Sequence, residues 1–458
     1  MRELLESAAG RAARYLEEIR ERRVAPAPSA VRALEQLVEP LPEHATAPEE
    51  VLARLDAIGS PATMGIAGPR FFGFVIGGTL PAALAANWLT SAWDQNAGLF
   101  AATPISAAAE EVSLAWLLEV LKLPAGCGGA FVTGATVANF TALAAARHAV
   151  LERVGWDVEA DGLFGAPPVS VIVSEEAHPS VFKALGMLGL GRERVLRVPV
   201  DAQGRIRPEC LARPGGPAIV CLQAGNVNTG AFDPAPAICE HARAMDAWIH
   251  VDGAFGLWAA ASPEHAHLVQ GVAAADSWAT DAHKWLNVTY DSGLAFVRDP
   301  AHLRGAMSLT AAYLPQGEHR EPSQYVPELS RRARGIEIWA ALKSLGRSGL
   351  AELIARNCRC ARRFAEGLST AGYEVLNDVV LNQVLVGFGT PETTARVISG
   401  IQEDGTCWCG GTVWQGRHAM RISVSSWATT EADVDRSLEA MLRVARQAGA
   451  PATARGSV

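Results

Sequence analysis

The sequence predicts an α/β protein: a mainly parallel central sheet with helices on both faces. Three observations point there. From about residue 129, short β-branched runs alternate with alanine-rich runs of helical spacing. The β-branched runs do not alternate apolar with polar, which is the pattern of strands buried on both faces. The 458 residues, 49% hydrophobic and only 19% charged, supply the apolar surface that such a core needs.

The elements follow in order. The first sixty or so residues read as helices separated by Pro/Ala-rich linkers such as VAPAPSA (24–30). Residues 71–93, FFGFVIGGTLPAALAANWLTSAW, carry no charge and are long enough to span a bilayer. Gly77, Gly78 and Pro81 interrupt them, and Asn87, Thr90 and Ser91 are polar. A buried loop followed by a core helix is expected, and no membrane span. Strands are expected at VSVIVS (169–174), RVLRVPV (194–200), AIVCLQAG (218–225), WIHVDGA (248–254) and GLAFVRD (293–299), with helical runs such as HPSVFKALGMLGL between. The last hundred or so residues mix helices with strand-like segments, an α+β appendage. The expected division is an N-terminal helical segment (1–75), a large domain (76–343) and a C-terminal small domain (344–458).

Several function classes are set aside by composition. Net charge is −8, and the densest basic runs, RERR (20–23) and RRAR (331–334), are short. Neutralising nucleic-acid phosphates needs a concentrated patch. The eight cysteines include CRC (358–360) and CWC (407–409). Zinc sites use C-x₂₋₄-C pairs with further ligands, so reduced thiols in a cytoplasmic protein are expected, and no metal. The N-terminus is charged and helix-periodic, without the apolar core of a signal peptide. No glycine fingerprint of a nicotinamide-dependent dehydrogenase follows an early strand.

Four features carry chemistry. The first is Lys284 in TDAHKWLN. The chain has only four lysines, Lys122, Lys183, Lys284 and Lys343, against 36 arginines. Arginine cannot form a Schiff base and an amine can, so a lysine retained beside His283 just past a parallel-sheet run points to covalent chemistry. A surviving surface lysine is the alternative, and it suffices for the other three. The second is Asp252 in VDGAFG, closing an otherwise apolar strand. A carboxylate there needs a cation. The pyridinium nitrogen of pyridoxal phosphate would serve, while a helix N-cap or an Asp-Gly turn would explain the residue equally well. The third is Gly134-Ala135-Thr136, opening the alanine-rich helix of FVTGATVANFTALAAAR. Its free N–H groups and hydroxyl suit a phosphate monoester, although many helices begin this way. The fourth is His178 in SEEAHPSVFKA, placed to stack on a ring or move protons, or simply a turn residue before proline.

Together, in this order and each at a strand exit, the four resemble the pyridoxal-phosphate group II amino-acid decarboxylases, the family of aromatic amino-acid and glutamate decarboxylases. The most specific signal is HVDGAFG followed by DAHKW, with 32 residues from Asp252 to Lys284. GPRFFGFVIGGTLPAALAANWL resembles the family's substrate-side segment, and TPISAAAEEVSLAWLLEVLKLP its dimer helix. NTGAFDP and MRISVSSWATTEADVD resemble later blocks. The resemblance implies fold type I, like the aspartate aminotransferases, and an obligate homodimer with active sites near the subunit interface. It implies a Schiff base on Lys284, with Asp252 on the pyridine nitrogen. Ala254 and His178 take opposite ring faces, and Ala135, Thr136 and His283 serve the phosphate. Arg421 matches an arginine that meets a substrate carboxylate in some members, or it makes an ordinary salt bridge.

Some positions depart from the pattern. Counting back from SRRARG (330–335) puts the aromatic branch's proton-donating tyrosine near Pro322. The nearest tyrosines are Tyr325 and Tyr313, on a polar, proline-interrupted stretch suited to a lid. Asp281 replaces an asparagine, Asn226-Val227 a Thr-Thr, Ile76 a threonine near the substrate, and Gly98 an aromatic. The expected reaction is decarboxylation of an L-amino acid to the amine, with an aromatic or bulky apolar side chain favoured by Phe71, Phe72 and Phe74. The alternatives are an aldehyde synthase, aldolase-type lyase or aminotransferase on the same cofactor, or a fold relative without turnover. The last would have lost an anchor, and Lys284, Asp252 and His178 are all present.

Overall fold

A computed structural model describes residues 1–309 and 319–452. The chain forms two compact units: Thr79–Cys358 with Asn377–Gln383, and Met1–Gly78 with Arg359–Leu376 and Val384–Val458.

The first unit holds a seven-stranded sheet. Its strands are β1 (Gly128–Val132), β2 (Ser170–Ser174), β3 (Leu196–Val198), β4 (Ala218–Gln223), β5 (Trp248–Asp252), β6 (Ser277–Asp281) and β7 (Gly293–Val297), in the spatial order β1-β7-β6-β5-β4-β2-β3. Pairing is parallel from β3 through β2, β4 and β5 to β6, and antiparallel where β7 meets β6 and β1. Strands β1, β4, β5, β6 and β7 are buried at every position. Strand β6 is not among the expected strands. Its sequence, SWATD, places Ser277, Thr280 and Asp281 among apolar residues, so it does not read as a buried strand. The fold buries these polar groups with partners: Trp248 Nε1 donates to Ser277 Oγ at 2.8 Å, and Thr280 Oγ1 to the Ala254 carbonyl at 3.3 Å.

Register sets the site. Gln223 of β4 lies opposite Asp252, and Asp252 opposite Ala279 of β6. The carboxyl ends of three neighbouring strands therefore converge, which is where parallel sheets bind ligands. The helix Ala135–Glu152 is packed so closely that Ala138, Ala142, Ala145, Ala146 and Ala149 are all fully buried, and larger side chains would force it off the sheet.

Of the uncharged stretch 71–93, only Pro81–Trp93 is helical. The expected core helix differs in burial: Ala83 and Thr90 alone are buried, and Trp88, Leu89 and Trp93 face outward. Among the described residues no helix is long and apolar enough to cross a membrane.

The second unit joins the N-terminal helices Arg2–Glu18, Pro28–Ala33 and Pro48–Ala62 to a four-stranded sheet. That sheet contains β8 (Glu374–Val375), β9 (Gln383–Gly387), β10 (Gly410–Trp414) and β11 (Arg417–Ser423), ordered β10-β11-β9-β8. Arg70, 3% exposed, ties early and late sequence together. It donates to the Arg20 carbonyl at 2.6 Å and the Thr406 carbonyl at 2.7 Å, and lies 3.6 Å from Asp433. Asp433 also closes the capping box with Thr430 that starts the helix Glu431–Gln447. Phe71 stacks on Trp408 at 5.0 Å, and Phe72 meets Phe364 edge-on at 5.0 Å.

Candidate active site

Lys284 sits on the turn that leaves β6. The turn is clamped on several sides. The N–H groups of Ala282 and His283 both donate to the Ser292 carbonyl at 3.1 Å. Trp258 Nε1 donates to the Asp281 carbonyl at 3.0 Å, and Trp285 Nε1 to Asn357 Oδ1 at 2.9 Å. With its backbone fixed, Lys284 presents Nζ 3.0 Å from Asp281 Oδ2. The Asp281 carboxylate is 2% exposed and also accepts the Ala135 N–H at 2.6 Å. Asp281 thus joins the amine to the start of the helix Ala135–Glu152.

His283 stacks on Tyr290 at 4.3 Å and accepts the Ser292 N–H on Nδ1 at 3.1 Å. Burial lowers its pKa and favours the neutral ring. Gly134 is the N-cap of the helix, and it lies against Gly293, which has room for no side chain. A Cβ on Gly293 would lie 2.4 Å from the Gly134 Cα, so the two backbones touch. Thr136 is half-buried one residue after Ala135.

Asp252 is 4% exposed at the end of β5. It accepts the Ala254 N–H at 3.2 Å and Asn139 Nδ2 at 3.2 Å. Both donors are neutral, and among the described residues no cation pairs with it. A buried carboxylate without a cation is costly, and the charge suits a protonated pyridine nitrogen. Together with an amine and a helix start in reach of one another, the residues present fit pyridoxal phosphate.

A chain of hydrogen bonds runs behind Asp252 to His178, and the members between them went unremarked in the sequence. Trp248 Nε1 can only donate, so Ser277 Oγ accepts it and gives its own proton to His250 Nδ1 at 2.9 Å. His250 Nε2 then donates to Asn139 Oδ1 at 2.9 Å. Asn139 Nδ2 donates to Asp252 and, at 3.2 Å, to Ser180 Oγ. Ser180 Oγ passes its proton to His178 Nδ1 at 2.8 Å, where the Ser180 N–H also points from 3.2 Å. His178 is therefore the N-cap of the helix Pro179–Met187, with its ring proton on Nε2. Gln223 accepts the His178 N–H at 3.0 Å when its amide is oriented to do so. The available signal was polarity in the wrong place: an asparagine in an alanine helix, and a histidine and a serine inside buried strands.

This chain needs a neutral His250, and burial pushes its pKa down to about 3. The unfolded chain takes up the proton below about 6.5. Stability from this residue is therefore fully present above pH 6.5 and falls by ~1.4 kcal/mol per unit as pH drops toward 3. Melting temperature should fall across pH 6.5 to 4, and less steeply in His250→Gln. An unchanged slope would remove His250 from the account.

The other predicted residues lie as follows. Asn226 is buried, and its Oδ1 accepts the N–H groups of Asn228 at 2.8 Å and Thr229 at 3.2 Å, closing a turn past β4. Ala254 is half-buried, and its carbonyl accepts the Asp281 N–H at 2.9 Å. A Cβ on Gly98 would lie 2.4 Å from the Leu329 carbonyl, so close backbone approach accounts for this glycine. The Tyr325 ring lies under the Arg320 guanidinium at 4.2 Å and packs against the apolar core with Met307. None of these contacts involves Lys284, Asp252 or His178. Tyr313 lies outside the described residues. In the second unit Phe74 is 61% exposed and stacks on Trp408 at 5.3 Å. Ile76 is half-buried, and Arg421 on β11 is half-buried with its pKa lowered by burial.

Comparison with known proteins agrees with this geometry. Residues 32–388 match the pyridoxal-dependent decarboxylase conserved domain. Tryptophan decarboxylase 1 of Oryza sativa subsp. japonica is 27% identical over 401 residues, 79% of this chain and 77% of that protein. Acidic amino acid decarboxylase GADL1 of Mus musculus is 31% identical over 323 residues, 67% of this chain and 58% of that protein. The solved structure of Oryza sativa TDC with PLP and tryptamine superposes with a TM-score of 0.90 at 24% identity, covering 97% of both chains. The matched domain spans most of the chain, its sheet has the expected fold type I form, and the site's half-buried amine and its carboxylate without a cation suit the cofactor. The chain therefore belongs to the pyridoxal-dependent decarboxylase family, the amino-acid carboxy-lyases that work with pyridoxal phosphate.

Proposed function

We propose that this chain removes the carboxylate of an L-amino acid as CO₂ and returns the amine, with an aromatic or bulky apolar side chain favoured. One observation supports the reading most: the Lys284 amine is 3.0 Å from Asp281, one strand away from a buried Asp252 without a cation. Bound pyridoxal phosphate supplies a ring that accepts the electron pair left at Cα when CO₂ departs. Lys284 would be the residue that holds the cofactor. Asp252 holds a proton at the ring nitrogen, with Asn139 orienting its carboxylate. His178 and Ala254 bracket the ring, and His178, locked by Ser180, offers an Nε2 proton. Ala135, Thr136 and His283 serve the phosphate, and Asp281 keeps the amine beside them. The Lys284 side chain is only 17% exposed above the buried Asp281, and a carboxylate held in that partly shielded place would lose neutral CO₂ more readily.

The three phenylalanines behind the aromatic preference all meet a neighbouring ring, and only Phe74 among them remains exposed to support it. The homodimer is supported by apolar side chains left outward on two helices: Trp88, Leu89 and Trp93 on Pro81–Trp93, Ile105 and Val112 on Pro104–Val120. The cytoplasm is supported by eight free cysteines.

The test is incubation of the cofactor-loaded protein with aromatic, acidic and diamino acids, following CO₂, amine, aldehyde and peroxide together. Amine and CO₂ in equal amounts, greatest with an aromatic substrate, are expected. A greater rate with an acidic or diamino substrate would end the aromatic preference. The position of Tyr325 under Arg320 favours a second reading, in which Cα goes unprotonated and O₂ diverts the product. Aldehyde with ammonia and peroxide would establish it.

A further inference from the structure

We propose that His148, Glu152 and His302 form a binding site for a Zn²⁺-like transition-metal dication, separate from the lysine cluster. His148 lies thirteen residues beyond Ala135 on the same helix, ~20 Å along its axis. His148 and Glu152 are four residues apart on that helix and share a face. His302 comes from the helix Pro300–Met307, whose Leu303 is buried in the same core.

The donor atoms lie within 4.8 Å of one another. His148 Nε2 is 3.7 Å from Glu152 Oε2, and His302 Nδ1 is 3.6 Å from the same oxygen. A tetrahedron with bonds of about 2.0–2.1 Å has edges of ~3.4 Å, so these two spacings need to close by only a few tenths of an ångström. Two imidazoles and one carboxylate, with a fourth position for water, suit Zn²⁺ rather than Mg²⁺ or Ca²⁺.

The surroundings are those of a built site. Glu159 Oε2 lies 2.6 Å from His148 Nδ1, and Arg147 holds the other carboxylate oxygen at 3.5 Å. A proton on Nδ1 leaves the Nε2 lone pair toward Glu152, the carboxylate–histidine–metal arrangement that orients ligands. The His302 ring stands edge-on to Trp248 at 5.7 Å. Gly305 gives the His148 ring its room, since a Cβ there would lie 2.4 Å from Nε2. A simple ion pair between His148 and Glu159 requires neither the second imidazole nor the Nε2 orientation. The metal would tie the helix Pro300–Met307 to Ala135–Glu152.

The experiment uses the cofactor-loaded protein, freed of metal by chelation and dialysis, in a Cys210→Ser background because Cys210 is the exposed thiol. Zn²⁺ is titrated by calorimetry, and melting temperature is read with Zn²⁺ and with Mg²⁺. Expected are about one Zn²⁺ per chain, a rise in melting temperature with Zn²⁺ alone, and affinity roughly 10–100-fold weaker in Glu159→Gln. Binding should be lost in Glu152→Gln and in His302→Gln, with cofactor absorbance and turnover unchanged. Glu152 is exposed, so its variant leaves the fold intact. No saturable Zn²⁺ binding overturns the proposal, as does undiminished binding in both Glu152→Gln and His302→Gln.

Discussion

Replacing Lys284 with alanine is expected to abolish covalent attachment of the cofactor and to lower turnover by at least ~10⁴-fold, the upper range for loss of an acid–base group. The covalent contribution is lost as well. Lys284→Arg separates the two roles of the side chain. Arginine retains the positive charge beside Asp281, so the ion pair with the buried carboxylate and the fold persist, yet it cannot attach the aldehyde. Both variants should lose the visible absorbance of the bound cofactor. Lys284→Ala should also lose stability, because removing one partner of a buried pair costs about 3–5 kcal/mol. The cost is moderated here by the 17% exposure of the lysine and by the Ala135 N–H that Asp281 retains. Borohydride reduction followed by peptide mapping reads the outcome directly. Label on Lys122, Lys183 or Lys343 instead would falsify the assignment.

Asp252→Asn should have the next largest effect, and its sign differs between cofactor-free and cofactor-loaded protein. The substitution is isosteric and removes a charge, and its single oxygen can serve only one of the Asn139 and Ala254 donors. Without cofactor, Asp252 is a buried carboxylate whose donors are neutral. Its neutral replacement should therefore raise the melting temperature of the free protein, by ~1–3 kcal/mol of desolvation relieved. With cofactor the change is unfavourable. An amide cannot hold a proton at the ring nitrogen, so turnover should fall by roughly 10²–10³-fold, the scale of a lost electrostatic stabiliser. The gain in melting temperature on adding cofactor should also shrink. Asn139→Ala keeps the charge at Asp252 but removes its Asn139 donor, and it also strands His250 Nε2 without an acceptor, so turnover should fall by about tenfold for the one hydrogen bond of ~1.4 kcal/mol lost at Asp252, with an added loss of stability. If Asp252→Asn left both turnover and the cofactor-dependent stabilisation intact, the carboxylate would have no part in holding the ring.

How much of this was legible in the sequence depended on the kind of burial. Strands β2, β4, β5 and β7 each carry a run of apolar, mostly β-branched residues, and those runs identify them. Strand β6 hides because Ser277, Thr280 and Asp281 are satisfied by partners distant in sequence, which no local pattern displays. Lys284 stood out by scarcity, and Asp252 by the cost of ending an apolar strand in a charge. Asn139, His250 and Ser277 were invisible as a set, since each is an isolated polar residue until the fold places His250 2.9 Å from each of the other two. The uncharged 71–93 stretch was read as a loop and a helix, but its apolar side chains suggested an interior that the helix Pro81–Trp93 does not occupy. Hydrophobicity alone does not say whether a face meets its own core or another surface. Gly98 stands where the family has an aromatic, and the Leu329 carbonyl fills the place where a side chain would begin, which only the fold reveals.

The line of donors from the Trp248 indole to the His178 ring has a direction as well as a position. Each group faces its neighbour head to tail, so inverting the Asn139 amide would set like against like on both sides at once. The interior therefore acts as a ratchet with a single permitted setting, and the tilt of an imidazole at the mouth of one strand is dictated by an indole at the far end of another.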